Sequence, residues 1–279
     1  MRRFLLLILL VAFGCNHSNK NVAPNADSLK QARTKDSLQK KKPHVNYRRQ
    51  DSLRLVRMMT GVLDYANKNK NKPAFKTQLK IWRFPYAAEA KLDFGHLFAK
   101  KREHLIVRRM LWGTTLAVDI YLLDSGKFKP VCSQALQSNS YIGDMVKDVN
   151  GDHSKDFLVH TYSPSGCCLR DVYAVYLYQE QTGGFTPKYR FMNPTFSASQ
   201  KAIRGFDYGQ PGDVDLYKYK WDGLKVDTEE YITKIASINK YHVYQHLTDR
   251  KNLQSGKLID KLPIEFRKIQ DYDWVRGVY

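Results

Sequence analysis

"AVYLYQEQTGGFTPKY", residues 174–189, alternates apolar and aromatic positions, breaks at a pair of glycines and resumes on Phe185. Alternation with a period of two belongs to a strand, because successive side chains point to opposite faces of a sheet. A glycine between two such runs lets the chain reverse, so the stretch predicts antiparallel strands joined by a turn. The same form occurs in "DIYLLDSGKFKPV" (119–131) and "DLYKYKWDGLKVD" (215–227), with turn glycines Gly126, Gly184 and Gly223.

A second series precedes the first two hairpins. "GHLFAKKREHLIVRR" (95–109) and "GDMVKDVNGDHSKDFLVHTY" (143–162) each run from a glycine through an apolar step and a polar loop into an apolar strand. Together the two series form a unit of antiparallel sheet, and its spacing falls near the ~40–50 residues of blade repeats. The expected fold is mostly β: propeller-like or stacked antiparallel blades, about four units, with a β-sandwich as the alternative. The units fall at about 92–131, 143–191 and 206–230.

Ahead of them, "DSLRLVRMMTGVLDYANKNK" (51–70) carries Leu55, Val56, Met59, Val62, Leu63 and Ala66 at near-helical spacing, so a short helix opens the domain. After Ile235 the strand texture fades. "INKYHVYQHL" and "LIDKLPIEFRKIQDY" are read as short helices or closing strands, a cap over 236–279. The folded part is one mainly-β domain, 51–279.

The first 15 residues, "MRRFLLLILLVAFGC", do not belong to that domain. Arg2 and Arg3 precede an apolar run from Phe4 to Phe13, too short for the roughly 20 residues of a membrane span. The run is an export signal. It stops at Gly14-Cys15, which resembles the lipobox of bacterial lipoproteins. That resemblance implies acylation of Cys15, cleavage before it, and residence in the bacterial cell envelope, lipid-anchored on the periplasmic face or cell surface. From Asn16 to Gln50 there are nine Lys or Arg against Asp27 and Asp36, and Tyr47 is the lone aromatic ring. A segment so charged and so poor in apolar residues cannot pay its ordering entropy, so 16–50 is expected to be a disordered basic tether.

The net charge is +19. Export argues against nucleic acid, so the excess is expected to face anionic lipid headgroups, an anionic envelope polymer or an acidic protein. With Cys15 acylated, three cysteines remain: Cys132, Cys167 and Cys168. An oxidising compartment predicts one disulfide, Cys132 with Cys167 or with Cys168, because a vicinal pair is strained.

The loop in "VKDVNGDHSKDFLVHTY" (146–162) places Asp148, Asn150, Asp152 and Asp156 at positions 1, 3, 5 and 9, with the Ser154 carbonyl at 7. Calcium takes six to eight oxygens, and alternate residues of a tight loop converge on one point. An EF-hand needs a glutamate at position 12, where Val159 stands. The pattern instead resembles the calcium loop of FG-GAP repeats, known from integrin propellers and bacterial surface proteins. The match covers Asp148, Asn150, Gly151, Asp152 and Asp156; His153 replaces a usual glycine and must then adopt φ > 0. The resemblance implies a structural calcium ion. Its counterpart, "AKKREHL" (99–105), is basic and cannot bind one.

Other chemistry is thinly represented. His242 and His246 in "YHVYQHL" would share a helical face but lack the glutamate of a zinc protease, and the chain has no Gly-x-Ser-x-Gly, P-loop or Rossmann fingerprint. "DVNGDHSKDFLVHTYSPSGCCLRDVYAVYLY" (148–178) is similar to a stretch of periplasmic FG-GAP-like lipoproteins, some of which inhibit peptidoglycan hydrolases delivered by competing bacteria. The expected function is that of a membrane-tethered, calcium-stabilised binding or inhibitor module for a protein or cell-wall ligand, not an enzyme. A structural envelope component and a cell-wall-directed hydrolase are the alternatives.

Overall fold

The computed structural model describes residues 47–83, 86–111, 113–162 and 168–278. Cys15, Cys167 and the tether up to residue 46 lie outside the described residues. Helix α1 (Tyr47–Asn69) starts inside the segment assigned to the tether and buries Leu55, Met58, Val62 and Ala66 on one stripe. Val56, expected on that stripe, is 64% exposed. Met58 takes its place because three- and four-residue steps from Leu55 and Val62 keep to one face.

Seventeen antiparallel strands follow among the described residues, in four open sheets. The first sheet joins β1 (Phe75–Arg83), β2 (Tyr86–Ala99), β3 (Arg102–Leu111), β4 (Thr115–Asp124) and β5 (Lys127–Gln137) in chain order. The second takes β6 (Tyr141–Lys147), β7 (Asp156–Tyr162), β8 (Asp171–Tyr176) and β11 (Tyr189–Met192), while β9 (Tyr178–Gln179) and β10 (Gly184–Phe185) pair as a ribbon. The third runs β12 (Pro194–Ser197), β13 (Ala202–Phe206), β14 (Leu216–Asp222), β15 (Lys225–Ile235), β16 (Lys240–Tyr244) and β17 (Lys257–Ile259). The hairpins read from 119–131 and 215–227 are β4–β5 and β14–β15, and the second series forms β2–β3 and β6–β7.

Four apolar clusters order the layers. Helix α1 packs on Leu92, Phe94, Leu105 and Val107 of the first sheet. The opposite face of that sheet, with Ile106, Val118 and Ile120, meets Phe157, Val159, Ala174 and Tyr176 of the second. Leu158, Tyr173, Val175 and Phe191 turn the other way, onto Ile203, Tyr217, Trp221 and Tyr231 of the third. The far side of the third sheet, with Phe206, Leu216 and Ile232, is closed by Leu262, Phe266, Ile269 and Trp274 from the C-terminal segment and its helix α2 (Tyr272–Arg276). Burial of Phe157, Leu158 and Val159 in succession follows, since period-two alternation sends neighbours into two different cores. Each large side chain so buried contributes about 1.5–3 kcal/mol of transfer free energy.

Three principal sheets stack where a sandwich has two, and no closed propeller forms among the described residues. β16 and β17 extend the third sheet, so the segment that closes the stack begins near Leu262 rather than at residue 236. Ion pairs tie the layers. Buried Arg109 donates to Asp119 Oδ2 at 2.6 Å and to the Leu55 carbonyl of α1. Lys218 of β14 reaches Glu265 in the closing segment at 3.2 Å.

Candidate calcium loop

The β6–β7 hairpin ends in the loop 148–155, and its acidic side chains organise its backbone. Asp148 accepts the Gly151 N–H on Oδ1 at 2.7 Å and the His153 N–H on Oδ2 at 3.0 Å. Asp152 accepts the Ser154 N–H at 2.7 Å, and its other oxygen accepts Asn150 Nδ2 at 2.9 Å. Such bonds replace the ladder where the chain turns, which is why Asp and Asn are favoured there. Two residues have left-handed backbone, Gly151 (φ 74°) and His153 (φ 71°), so His153 adopts the conformation its position demands. Gly151 is required for a second reason: a Cβ there would collide with the Ala198 carbonyl oxygen.

Asp156, at the start of β7, is fully buried. Its carboxylate accepts the Val149 N–H and the Tyr178 N–H, each at 3.0 Å. Burial pushes its pKa up to about 7; the Asp152 and Asp148 charges push the same way, against the two N–H bonds. None of the ion pairs among the described residues includes Asp148, Asp152 or Asp156. That is notable in a chain of net charge +19.

The loop also joins the layers. Asn150 Nδ2 donates to the Gly223 carbonyl in the β14–β15 turn at 3.3 Å, and the Lys155 N–H donates to the Phe98 carbonyl of β2 at 3.0 Å. Its partners therefore lie in the third sheet, the first sheet and the β9–β10 ribbon.

The chemistry of the donor set fits a hard divalent cation: three carboxylates and an amide, one carboxylate buried without a counter-charge. Asp148, Asn150, Asp152 and Ser154 lie in the loop, and Asp156 follows it as the first residue of β7. The Asp148, Asn150 and Asp152 oxygens accept loop N–H groups, those of Asp156 accept Val149 and Tyr178, and no three His, Cys, Asp or Glu side chains among the described residues converge as a cage. The counterpart "AKKREHL" holds no loop at all; Lys100 and Lys101 form a two-residue turn between β2 and β3.

Cysteines and histidines are dispersed. Cys132, on β5, lies against the core between the first and second sheets, and burial with the nearby Asp119 charge pushes its thiol up to about 12. Cys168 belongs to the core beyond the third sheet, and no disulfide joins it to Cys132. The Cys132–Cys167 alternative falls on a residue outside the described ones.

His242 lies on strand β16 rather than on a helix; it is buried and stacks on Tyr244 at 5.0 Å, while His246 is exposed. His160 bonds Asp171 at 2.5 Å and stacks on Tyr173 at 4.3 Å. No helix among the described residues is long and apolar enough to cross a membrane.

Sequence spacing pointed to the loop residues but not to Tyr178 and Gly223, whose backbone groups complete it from 22 and 73 positions away. Backbone donors and acceptors exist at every residue, so they leave no compositional signal.

No protein-family model and no curated protein matches the chain. A solved structure described as a Xanthomonas type IV secretion system related protein is similar over 68% of this chain and 95% of its own, at 11% identity. Its TM-score of 0.32 is too low to carry an argument.

Proposed function

We propose that the chain is an envelope lipoprotein, tethered through Cys15, whose calcium-stabilised β domain is a non-catalytic binding or inhibitor module for a protein or cell-wall ligand. The observation that carries this reading is the acidic loop. Asp156 is buried beside two further carboxylates with no ion pair among the described residues, and the loop and Asp156 bond to the first sheet, the third sheet and the β9–β10 ribbon. A calcium ion held by Asp148, Asn150, Asp152, Asp156 and the Ser154 carbonyl supplies the missing positive charge. Its role is structural: it binds the native state and stiffens the junction between sheets.

The finer architecture we propose is blade-like. Each principal sheet is a chain-sequential antiparallel unit, stacked face to face on the next as in an unclosed propeller.

Equilibrium dialysis against calcium tests the loop: the wild type should hold about one ion per chain, and Asp152→Ala none, with extracellular modules setting the expected Kd at roughly 10⁻⁴–10⁻³ M. Fractionation tests the tether. Cys15→Ser should move the protein from the membrane pellet to the soluble fraction, and an unchanged pellet refutes the anchor. Turnover of labelled peptidoglycan that disappears in a single-carboxylate variant refutes the non-catalytic assignment.

A further inference from the structure

The first sheet has five strands and the second four, and the two are offset. The Tyr176 hydroxyl of β8 donates to Gln134 of β5 at 2.6 Å, so β8 sits towards the β5 side. β6 lies over β2 and β3. It is held by Arg108, which donates to Asp144 of β6 at 2.5 Å and to Asp93 of β2 at 2.7 Å. These bonds keep the half-buried guanidinium charged against the cost of desolvation. The next strand-width, over β1 and β2, is a groove of about 610 Å³.

One wall of the groove is the outer edge of β6, which pairs with β7 alone among the described strands. An edge strand presents unpaired N–H and C=O groups to any chain that lies beside it. Several other edges are guarded. β12 has four residues and begins at Pro194, β17 has three, and β10 packs beside β5. β6 is longer and carries no proline, and its bulge residue Ile142 is 60% exposed at the mouth of the groove.

The floor is basic. Register pairs Gln78 with Lys91 and Lys91 with Arg108, so these side chains share the face that looks into the groove, and Lys76 and Lys80 alternate onto it. Lys76 and Lys91 have side chains 83% and 53% exposed, while the two acids are held closer in, Asp93 by Arg108 at 2.7 Å and buried Glu89 by Gln78 Nε2 at 2.6 Å, so the lysines at 3.8 and 3.5 Å from them are the charges offered to the groove.

We propose that this groove receives an extended acidic segment of a partner protein, which pairs with β6 as a fifth strand of the second sheet. Main-chain bonds to β6 hold the segment, and every second side chain, facing the first sheet, meets Lys76, Lys80 and Lys91. Acidic residues at alternate positions are therefore selected. The inference rests on the binding-module reading above and names that module's site and the chemistry of its partner.

The test uses the full-length protein and a peptide of about ten residues alternating Glu and Val, with a control carrying Lys for Glu. The Glu peptide should slow amide exchange along β6, and the control should not. Lys76→Gln with Lys91→Gln, which remove the two exposed charges without setting a carboxylate beside Glu89 or Asp93, should weaken binding by about tenfold while leaving the protein folded, as its melting curve checks. Equal binding of the Lys peptide overturns the groove, as does protection away from β6. Protection of β6 that grows with protein concentration alone also overturns it, in favour of a second copy of this chain. If an envelope protein is retained equally by the wild type and the double variant, the groove is wrong and the binding-module reading stands. If the peptide fails and the wild type retains neither envelope protein nor wall polymer, both fall.

Discussion

Calcium should raise the melting temperature through a single loop, and the size of the effect can be worked out. The loop bonds to the first sheet at Phe98, to the ribbon at Tyr178 and to the third sheet at Gly223, so an ion there stabilises the whole stack. A ligand that binds only the native state adds RT ln(1 + [L]/Kd) to stability. With Kd of roughly 10⁻⁴–10⁻³ M and about 10 mM calcium, the gain is about 1.5–3 kcal/mol. At ~2–4 °C per kcal/mol for a domain of this size, the melting temperature should rise by roughly 3–12 °C over the value in EDTA. Asp152→Ala should remove the response and melt like the chelated wild type, because Asp152 is exposed and contributes little beyond its loop bonds. Magnesium, which demands tighter octahedral geometry, should substitute poorly. Scanning calorimetry of wild type and variant in EDTA, calcium and magnesium is the assay. Coincident wild-type curves in EDTA and calcium would refute the reasoning and leave a hydrogen-bonded polar turn.

Gly151→Ala should destabilise the domain by about 1–3 kcal/mol in chemical denaturation, since its φ of 74° and the Ala198 carbonyl both oppose a Cβ; an unchanged midpoint contradicts the packing described. Arg109→Met should cost about 3–5 kcal/mol by leaving Asp119 buried and unpaired, and Asp119→Leu in the same chain should recover most of it. His104 is buried, and burial lowers its pKa below the usual 6.5. Its neutral folded form therefore gives full stability above pH 6.5, lost progressively as pH falls below it, and His104→Phe should flatten that acid limb in pH-dependent melting. Native Cys132, with its thiol pushed up to about 12, should react with iodoacetamide at pH 8 far more slowly than the unfolded chain does.

Local order was legible along the chain because it is written in short periods. Alternation around Gly126 and Gly223 became β4–β5 and β14–β15, and the odd spacing of Asp148, Asn150 and Asp152 became one loop, whose Val149 N–H bonds Asp156 of β7. His153 adopts the positive φ that its position in the loop requires. At the helix the reading was coarser. Val56 and Met58 are both apolar, and Met58 is the buried one because it stands three residues from Leu55 and four from Val62 on the stripe that meets the sheet.

Tertiary structure decided what short periods cannot encode. A strand such as "DFLVHTY" states that its faces differ, but which layer meets each face depends on residues far away: Ile106 and Ile120 on one side, Ile203 and Tyr217 on the other. The "YHVYQHL" segment suited helix or strand equally until β15 supplied a hydrogen-bonding neighbour and drew His242 into β16. The groove beside β6 belongs to neither sheet. It exists because a four-stranded layer lies offset on a five-stranded one, and Arg108 joins Asp93 and Asp144 across that offset. Local propensity and turn chemistry act over a few residues and can be read in order, whereas stacking is settled by the total apolar area that distant faces remove from water.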